Sequence, residues 1–351
     1  MGTQAKEIAI TGASGFVGRH LLNNLLKNGY ALRLLVRDPT GYNPSRAGHH
    51  ITVIKGSLQD HHAVNSLVDG VWAVIHLVGI IRENPKQNAT FQHIHVDATQ
   101  SLLKAAQSAG VSKWLHMSAL GARPTVSNTR RDTHHRPVSR YHQTKWAAEQ
   151  LVRKANLPYT IFRPSLIHGP GGEFTTMAQH FVQNHAPVVP RFGSGPFGTG
   201  DGGRIQPVYV EDVAEIFNQA LTNPDAEGKD FALAGPDILT WEQMWRIFIQ
   251  QLGGGKTKAI LGVPSWLAAG MAKCADALTA QGLLPANGKF PGLPFNFDQV
   301  VMASQDSITT PQQNHQLQSV FNIKPKGFAE SLRIYAPQLQ PASNPTKGNN
   351  Q

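Results

Sequence analysis

TGASGFVG, residues 11–18, stands directly after the apolar run KEIAIT (6–11) and opens the helical pattern VGRHLLNNLLKNG (17–29). A glycine pattern is weak evidence alone, but with a strand before it and a helix after it the spacing predicts a dinucleotide phosphate cradle. Gly12 permits the tight turn, Gly15 lets a pyrophosphate approach the backbone, and Gly18 lets helix and strand pack closely. Free amides at the helix N-terminus then face the anion. The next strand ends LLVRDP (34–39), so Val36 and Arg37 stand where an acidic residue would hold the adenosine ribose of NAD. An arginine there suits the 2′-phosphate of NADP through a charge-assisted pair. Arg19 is a second candidate for that phosphate, and Asp38 keeps NAD(H) open as the alternative.

Outward from the cradle, ALRLLVR (31–37), ITVIKG (51–56), WAVIHLVG (72–79), KWLHMSA (113–119) and YTIFRPS (159–165) read as further strands. Helical patterns lie between most of them, two ending at Gly29 and Gly110. This alternation predicts an α/β fold, a doubly wound parallel Rossmann sheet with helices on both faces. Residues 1–165 with 204–227 are expected to form that domain. Residues 166–203 with 228–335 are expected to form a small C-terminal α/β lobe for substrate or partner, with 340–351 a disordered polar tail. TWEQMWRIFIQQLG (240–253) reads as an amphipathic helix capped by Thr240.

Composition narrows the classes further. Hydrophobic residues are 40% and charged residues 15% of the 351, which fits a packed chain of this length. The single cysteine, Cys274, excludes a disulfide framework and a cysteine-built zinc site, and its apolar surroundings predict a buried thiol. The start of the chain has no signal-peptide pattern, and no apolar run reaches the roughly 18 residues of a membrane span. A cytoplasmic protein, or one peripheral to the inner face of a membrane, is expected. Net charge is +10, which favours anionic partners, though no nucleic-acid motif is present.

These residues resemble the short-chain dehydrogenase/reductase superfamily in its extended and atypical forms. GSLQD (56–60), IHLVG (75–79), HVDAT (95–99), YHQTK (141–145), FRPSLIHGP (162–170) and PVYVEDVAE (207–215) carry the likeness. HLVGIIRE (76–83), HMSALGARP (116–124) and DQVVM (298–302) are similar to one atypical branch. That branch holds the NAD(P)H-binding accessory subunit of respiratory complex I and its bacterial relatives, often labelled NAD-dependent epimerase/dehydratase. The resemblance implies that Gly12, Ser14, Gly15, Phe16, Val17 and Gly18 line the pyrophosphate. It places Ser57 and Leu58 beside the adenine and Val78 and Gly79 beside the ribose, and adds Arg163 and Pro164 to the cofactor set. Ser57 departs from the aspartate usual there. His95 replaces a common asparagine that secures a backbone kink, which implies a structural role.

Tyr141 and Lys145 match the superfamily's YxxxK pair, on one helix face at a spacing of four. A lysine ammonium beside the phenol is expected to lower its pKa and help it act as general acid/base, while the lysine also binds the nicotinamide ribose. Ser118 is the candidate third catalytic group, but in extended enzymes the hydroxyl lies about two residues later, where Leu120 stands. The segment ARPTVSNTRRDTHHRPVSR (122–140) reads either as a basic lid or as a solvated loop. Two functions remain open. The chain is an NADP-dependent reductase, epimerase or dehydratase acting on a small substrate such as a sugar nucleotide. Otherwise it holds the cofactor for structure or redox sensing in a respiratory or quinone-related assembly. Leu120 and the branch resemblance favour the second reading, and the Tyr141–Lys145 pair favours the first.

Overall fold

The computed structural model describes residues 6–40, 50–124, 138–184, 187–193, 202–255, 257–280 and 296–339. Seven parallel strands make the main sheet: β1 (Glu7–Thr11), β2 (Ala31–Val36), β3 (Ile51–Lys55), β4 (Ala73–His76), β5 (Lys113–Met117), β6 (Tyr159–Pro164) and β10 (Lys229–Leu233). Their order is β10-β6-β5-β4-β1-β2-β3. The strand order reverses between β1 and β4, and the crevice at the carboxyl ends of those strands is where this fold places ligands.

Burial on both faces dictates the sequence of these strands. In β5, Leu115 and Met117 pack with α1 (Phe16–Lys27) and α6 (Val210–Thr222). Trp114 faces the opposite layer of α2 (His61–Val68), α3 (Ala98–Ser108) and α4 (Arg140–Lys154). Each fully buried large side chain contributes roughly 1.5–3 kcal/mol. Gly29 and Gly110 take positive φ just beyond their helices, as their punctuation of the sequence predicts.

The lobe holds β7 (Ile167–His168) paired with β9 (Val208–Tyr209), and β8 (Val188–Gly193) paired with β11 (Ala259–Pro264). Its helices are α5 (Glu173–Gln183), α7 (Trp241–Leu252), α8 (Ser265–Ala280), α9 (Phe297–Ala303) and α11 (Phe328–Leu339). Thr240 caps α7 in a capping box with Gln243.

Two expectations are corrected. The sheet does not stop at residue 227: β10 pairs in parallel with β6, covering an edge whose backbone groups would otherwise be unpaired. Phe231 then joins Phe162, Phe217 and Phe321, so α10 (Pro311–Val320) also packs on the Rossmann side, through Leu317 and the adjoining Phe321. Cys274 is exposed rather than buried, because α8 turns Ala268 and Ala272 inward and Trp266, Leu267, Met271 and Cys274 outward. The tail 340–351 lies outside the described residues, as do Arg130, Arg131, His134, His135 and Arg136 of the basic segment.

Candidate functional site

The turn between β1 and α1 is built by its glycines. Gly12 has φ +80°, and a Cβ there would lie 3.2 Å from the backbone of Leu77 and Val78. Gly15 N donates to Gly12 O at 3.0 Å and closes the turn. A Cβ on Gly18 would stand 2.2 Å from Gly12 O, so only glycine lets helix and loop approach this closely. Gly15 is the N-cap of α1, extended, with no side chain capping the helix. Ser14 and Gly15 are exposed, while Phe16 packs against Gly169 and Gly172 and Val17 joins the lobe core. The first-turn amides thus have no side-chain cap, an arrangement that fits a diphosphate.

Along the carboxyl edge of the sheet, Arg37 is exposed just past β2. Asp38 beside it accepts from Thr40 N at 2.9 Å and from Thr40 Oγ1 at 2.6 Å, and these bonds lower its pKa. Arg19 is not free for a 2′-phosphate. Its guanidinium donates to Ser14 O at 2.8 Å and Gly171 O at 3.4 Å, tying the loop to the lobe. After β3, Ser57 Oγ accepts from Gln59 N at 3.3 Å and Leu58 is buried. Asp60 caps α2 through His62 N and Ala63 N.

The second half of the site converges on α4. A Cβ on Gly79 would meet Lys145 Nζ at 3.3 Å and His95 Nε2 at 3.5 Å, which puts the Val78–Gly79 turn against the lysine. Lys145 is buried and donates to Met117 O at 2.8 Å. Burial pushes its pKa down to about 8, opposed by the charge of Glu149. His95 lies in a π-helical turn, Gln92–Asp97. Its Nε2 accepts from Ile80 N at 3.0 Å, so Nδ1 carries the proton donated to Thr144 Oγ1 at 2.9 Å. Burial holds its pKa far below the usual histidine value, and the ring stays neutral. The imidazole thus secures a backbone distortion. Thr99 Oγ1 donates to His95 O and receives His76 Nε2–H at 3.0 Å, and Thr11 Oγ1 donates to His76 Nδ1 at 2.7 Å. This buried chain links the cradle strand to α4.

Tyr141 is half-buried, with Phe91, His95 and His142 at centroid distances of 6.1, 5.5 and 5.3 Å. Burial pushes its phenol up to about 12. The expected lowering by Lys145 is therefore overturned: removal from water disfavours the phenolate. Among the described residues the hydroxyl has no hydrogen-bond partner, and at neutral pH it is a proton donor.

Ser118 and Arg163 serve a different structure. Ser118 Oγ donates to Glu149 Oε1 at 2.5 Å, and Arg163 grips the wholly buried Glu149 carboxylate at 2.8 and 2.5 Å. Arg153 and Asp230 complete that network. The Glu149 carboxylate, buried on α4, thus holds both Ser118 and Arg163, because a buried ion requires compensating partners. Pro164 is buried at the end of β6, its carbonyl accepting from Leu120 N at 2.8 Å. Ser118→Ala should lower stability by about 1–3 kcal/mol, the value of a hydrogen bond to a charged group. Dinucleotide affinity should not change. Denaturant melts with parallel cofactor titration check both, and a loss of affinity at full stability would return Ser118 to the site.

A family model described as NAD dependent epimerase/dehydratase family matches residues 8–234. The chain belongs to that family. Its members' shared architecture accounts for the cradle, and the chain is accordingly of the NAD(P)-binding type. Ceramide reductase of Caulobacter vibrioides is 29% identical over 273 residues, 77% of this chain and 78% of that protein. The mitochondrial NADH dehydrogenase [ubiquinone] 1 alpha subcomplex subunit 9 of Arabidopsis thaliana is 27% identical over 307 residues, 86% of this chain and 70% of that protein. A solved UDP-glucose 4-epimerase of Thermus thermophilus, in complex with NAD, superposes with TM-score 0.65 at 20% identity, covering 96% of this chain and 100% of its own. That likeness is one of fold.

Three residues of the centre were not assigned a role from sequence. Glu83 accepts from Phe91 N and pairs with Arg140, both at 2.8 Å. His142 lies against the Leu120–Gly121 turn, where a Cβ on Gly121 would meet its Nε2 at 3.1 Å. Asp298 accepts from Arg140 N at 2.8 Å. The stretches HLVGIIRE and DQVVM flagged their neighbourhoods, but nothing in sequence spacing brings residues 83, 142 and 298 together.

Proposed function

We propose that the chain is an NADP(H)-dependent reductase of a carbonyl substrate, with Tyr141 as proton donor. The observation that carries this is the protonated Tyr141 hydroxyl, without a hydrogen-bond partner among the described residues, on the helix that also carries Lys145 against the Val78–Gly79 turn. When bound, NADPH supplies a hydride to the carbonyl carbon. Tyr141 Oη–H gives its proton to the carbonyl oxygen, so the product is an alcohol and the phenolate is reprotonated from solvent. Lys145 holds the nicotinamide ribose. The amides of Phe16 and Val17 take the pyrophosphate, which lies against Gly15, while Val78 and Gly79 flank the ribose and Ser57 and Leu58 flank the adenine. The similarity to a ceramide reductase supports a long-chain lipid ketone over a sugar nucleotide as the first substrate class to try. The test follows nicotinamide absorbance with NADPH and a 3-keto lipid dispersed in detergent. No consumption of either, with a folded and cofactor-loaded chain, would sink the reading.

The preference for NADP(H) over NAD(H) rests on Arg37 being exposed and Asp38 being engaged with Thr40. Arg37→Ala should reduce the ratio of NADPH to NADH affinity by about tenfold or more, the equivalent of one charge-assisted hydrogen bond. Equilibrium titration with both cofactors measures it; an unchanged ratio removes Arg37 from the 2′-phosphate.

A second reading has its own observation. Leu120 stands where a substrate hydroxyl is expected, and Ser118 is held by Glu149. A protein that keeps the cofactor for structure or redox sensing in a respiratory or quinone-related assembly needs neither. The similarity to a complex I subunit supports this reading, and the net charge of +10 supports a place against an anionic membrane face. Among the described residues no helix is long and apolar enough to cross a membrane. Tight cofactor retention without turnover of any carbonyl would select this reading.

A further inference from the structure

The helix that carries Tyr141 begins with amides that need acceptors. The first N–H groups of any helix have no partner within it. In α4, Ser139 Oγ accepts from His142 N at 3.2 Å. The two preceding amides, of Arg140 and Tyr141, are both taken by the Asp298 carboxylate, the first at 2.8 Å. Asp298 belongs to α9 in the lobe, 158 residues away from Arg140. A carboxylate at a helix N-terminus is also favoured by the helix dipole.

The same short helix is fastened on both sides of Asp298. Asn296 Nδ2 donates to Ile81 O at 2.8 Å, and Arg82 donates to Gln299 Oε1 at 3.4 Å. Asn296 and Gln299 cap α9 reciprocally, which orients Asp298 at its second position. From the other direction Glu83 pairs with the Arg140 side chain at 2.8 Å and accepts from Phe91 N, next to the ring that lines Tyr141. The stretches 76–83 and 298–302 therefore meet at one place, around the backbone of Tyr141.

We infer that Asp298 is a positioning residue for Tyr141, a cap supplied from α9 of the lobe that fixes where the phenol stands. The kinetic consequence rests on the proposed reductase reading; the structural one does not. Loss of the carboxylate frees the first turn of α4, and Tyr141 samples orientations in which its hydroxyl misses the reacting oxygen. Substrate and cofactor contacts elsewhere are untouched.

The experiment compares the full-length chain with Asp298→Ala and the isosteric Asp298→Asn. Amide hydrogen exchange at Arg140 and Tyr141 should speed up by about tenfold in Asp298→Ala, in line with the loss of one cap. It should speed up less in Asp298→Asn, whose amide oxygen still accepts. Exchange in β1 and β4 should stay unchanged in both. With NADPH and the 3-keto lipid probe, kcat should fall about tenfold in Asp298→Ala while KM for NADPH holds, with Asp298→Asn between. Unchanged exchange at 140 and 141 in both variants overturns the cap. A lower melting temperature with unchanged kcat overturns the positioning role and leaves a merely structural contact. If the wild type turns over no probe, the reductase reading fails by itself, and exchange at those two amides still decides the cap.

Discussion

Gly15→Val should abolish dinucleotide binding while the chain stays folded. Gly15 has φ −72° and ψ 174°, a conformation that any residue adopts, so the backbone itself is not strained by a side chain. A Cβ there meets only Gly12 O, at 3.1 Å, which asks for a shift of a few tenths of an ångström. The branched methyls then stand over the first turn of α1, where a pyrophosphate has to lie against bare amides. Affinity should drop by more than about 100-fold, since loss of two amide contacts and displacement of a charged group exceed roughly 3 kcal/mol. Valine at an N-cap costs the fold about 1 kcal/mol or less relative to glycine. Gly18→Val is the contrasting variant. Its Cβ would lie 2.2 Å from Gly12 O and 2.7 Å from Ala13 O, so the helix must move off the strand and the cooperative transition should be lost with the affinity. Calorimetric titration beside thermal melts separates the two outcomes. Normal affinity in Gly15→Val would remove the cradle assignment.

Tyr141→Phe should lower turnover by about 10²–10⁴-fold, the range of a positioned general acid. Phenylalanine keeps the ring contacts with Phe91, His95 and His142, and the hydroxyl it deletes is bonded to no described residue. Stability and cofactor affinity should therefore stay at wild-type values. Burial holds the phenol at about 12, so it remains protonated throughout neutral pH and reduction should show no titration of this group there. Lys145→Ala differs, because it removes a ribose contact and weakens cofactor binding whether or not there is chemistry. The decisive measurement is single-turnover oxidation of bound NADPH by the 3-keto lipid. Full activity in Tyr141→Phe would end the catalytic assignment, and absence of activity in wild type and variant alike would favour the cofactor-holding reading.

Much of the architecture was legible because it follows from local pattern. Six of the seven sheet strands are apolar runs that must be covered on both faces. The cradle is legible because three glycines at a fixed spacing have a steric meaning that does not depend on distant residues. Strand β10 was not legible: Lys229–Leu233 opens with two charged residues, and only the uncovered edge of β6 gives it a partner. Cys274 was misplaced for a related reason. Composition says that α8 is apolar, but which stripe faces inward depends on where Val300 and Ala303 of α9 lie.

Sequence alone determined the parallel Rossmann frame, the glycine turn of the phosphate cradle, and the pair Tyr141 and Lys145 on one helix face. Each is a matter of spacing within about one turn or one strand, where covalent geometry fixes the distance. Tertiary structure alone decided the rest. It assigned Ser118 and Arg163 to the buried Glu149 carboxylate and Arg19 to the loop backbone, raised the Tyr141 phenol instead of lowering it, and set Asp298 on the first amides of α4. These depend on burial and on charges brought together across long stretches of chain. Desolvation and ion pairing are properties of the assembled interior, and no interval along the sequence measures them.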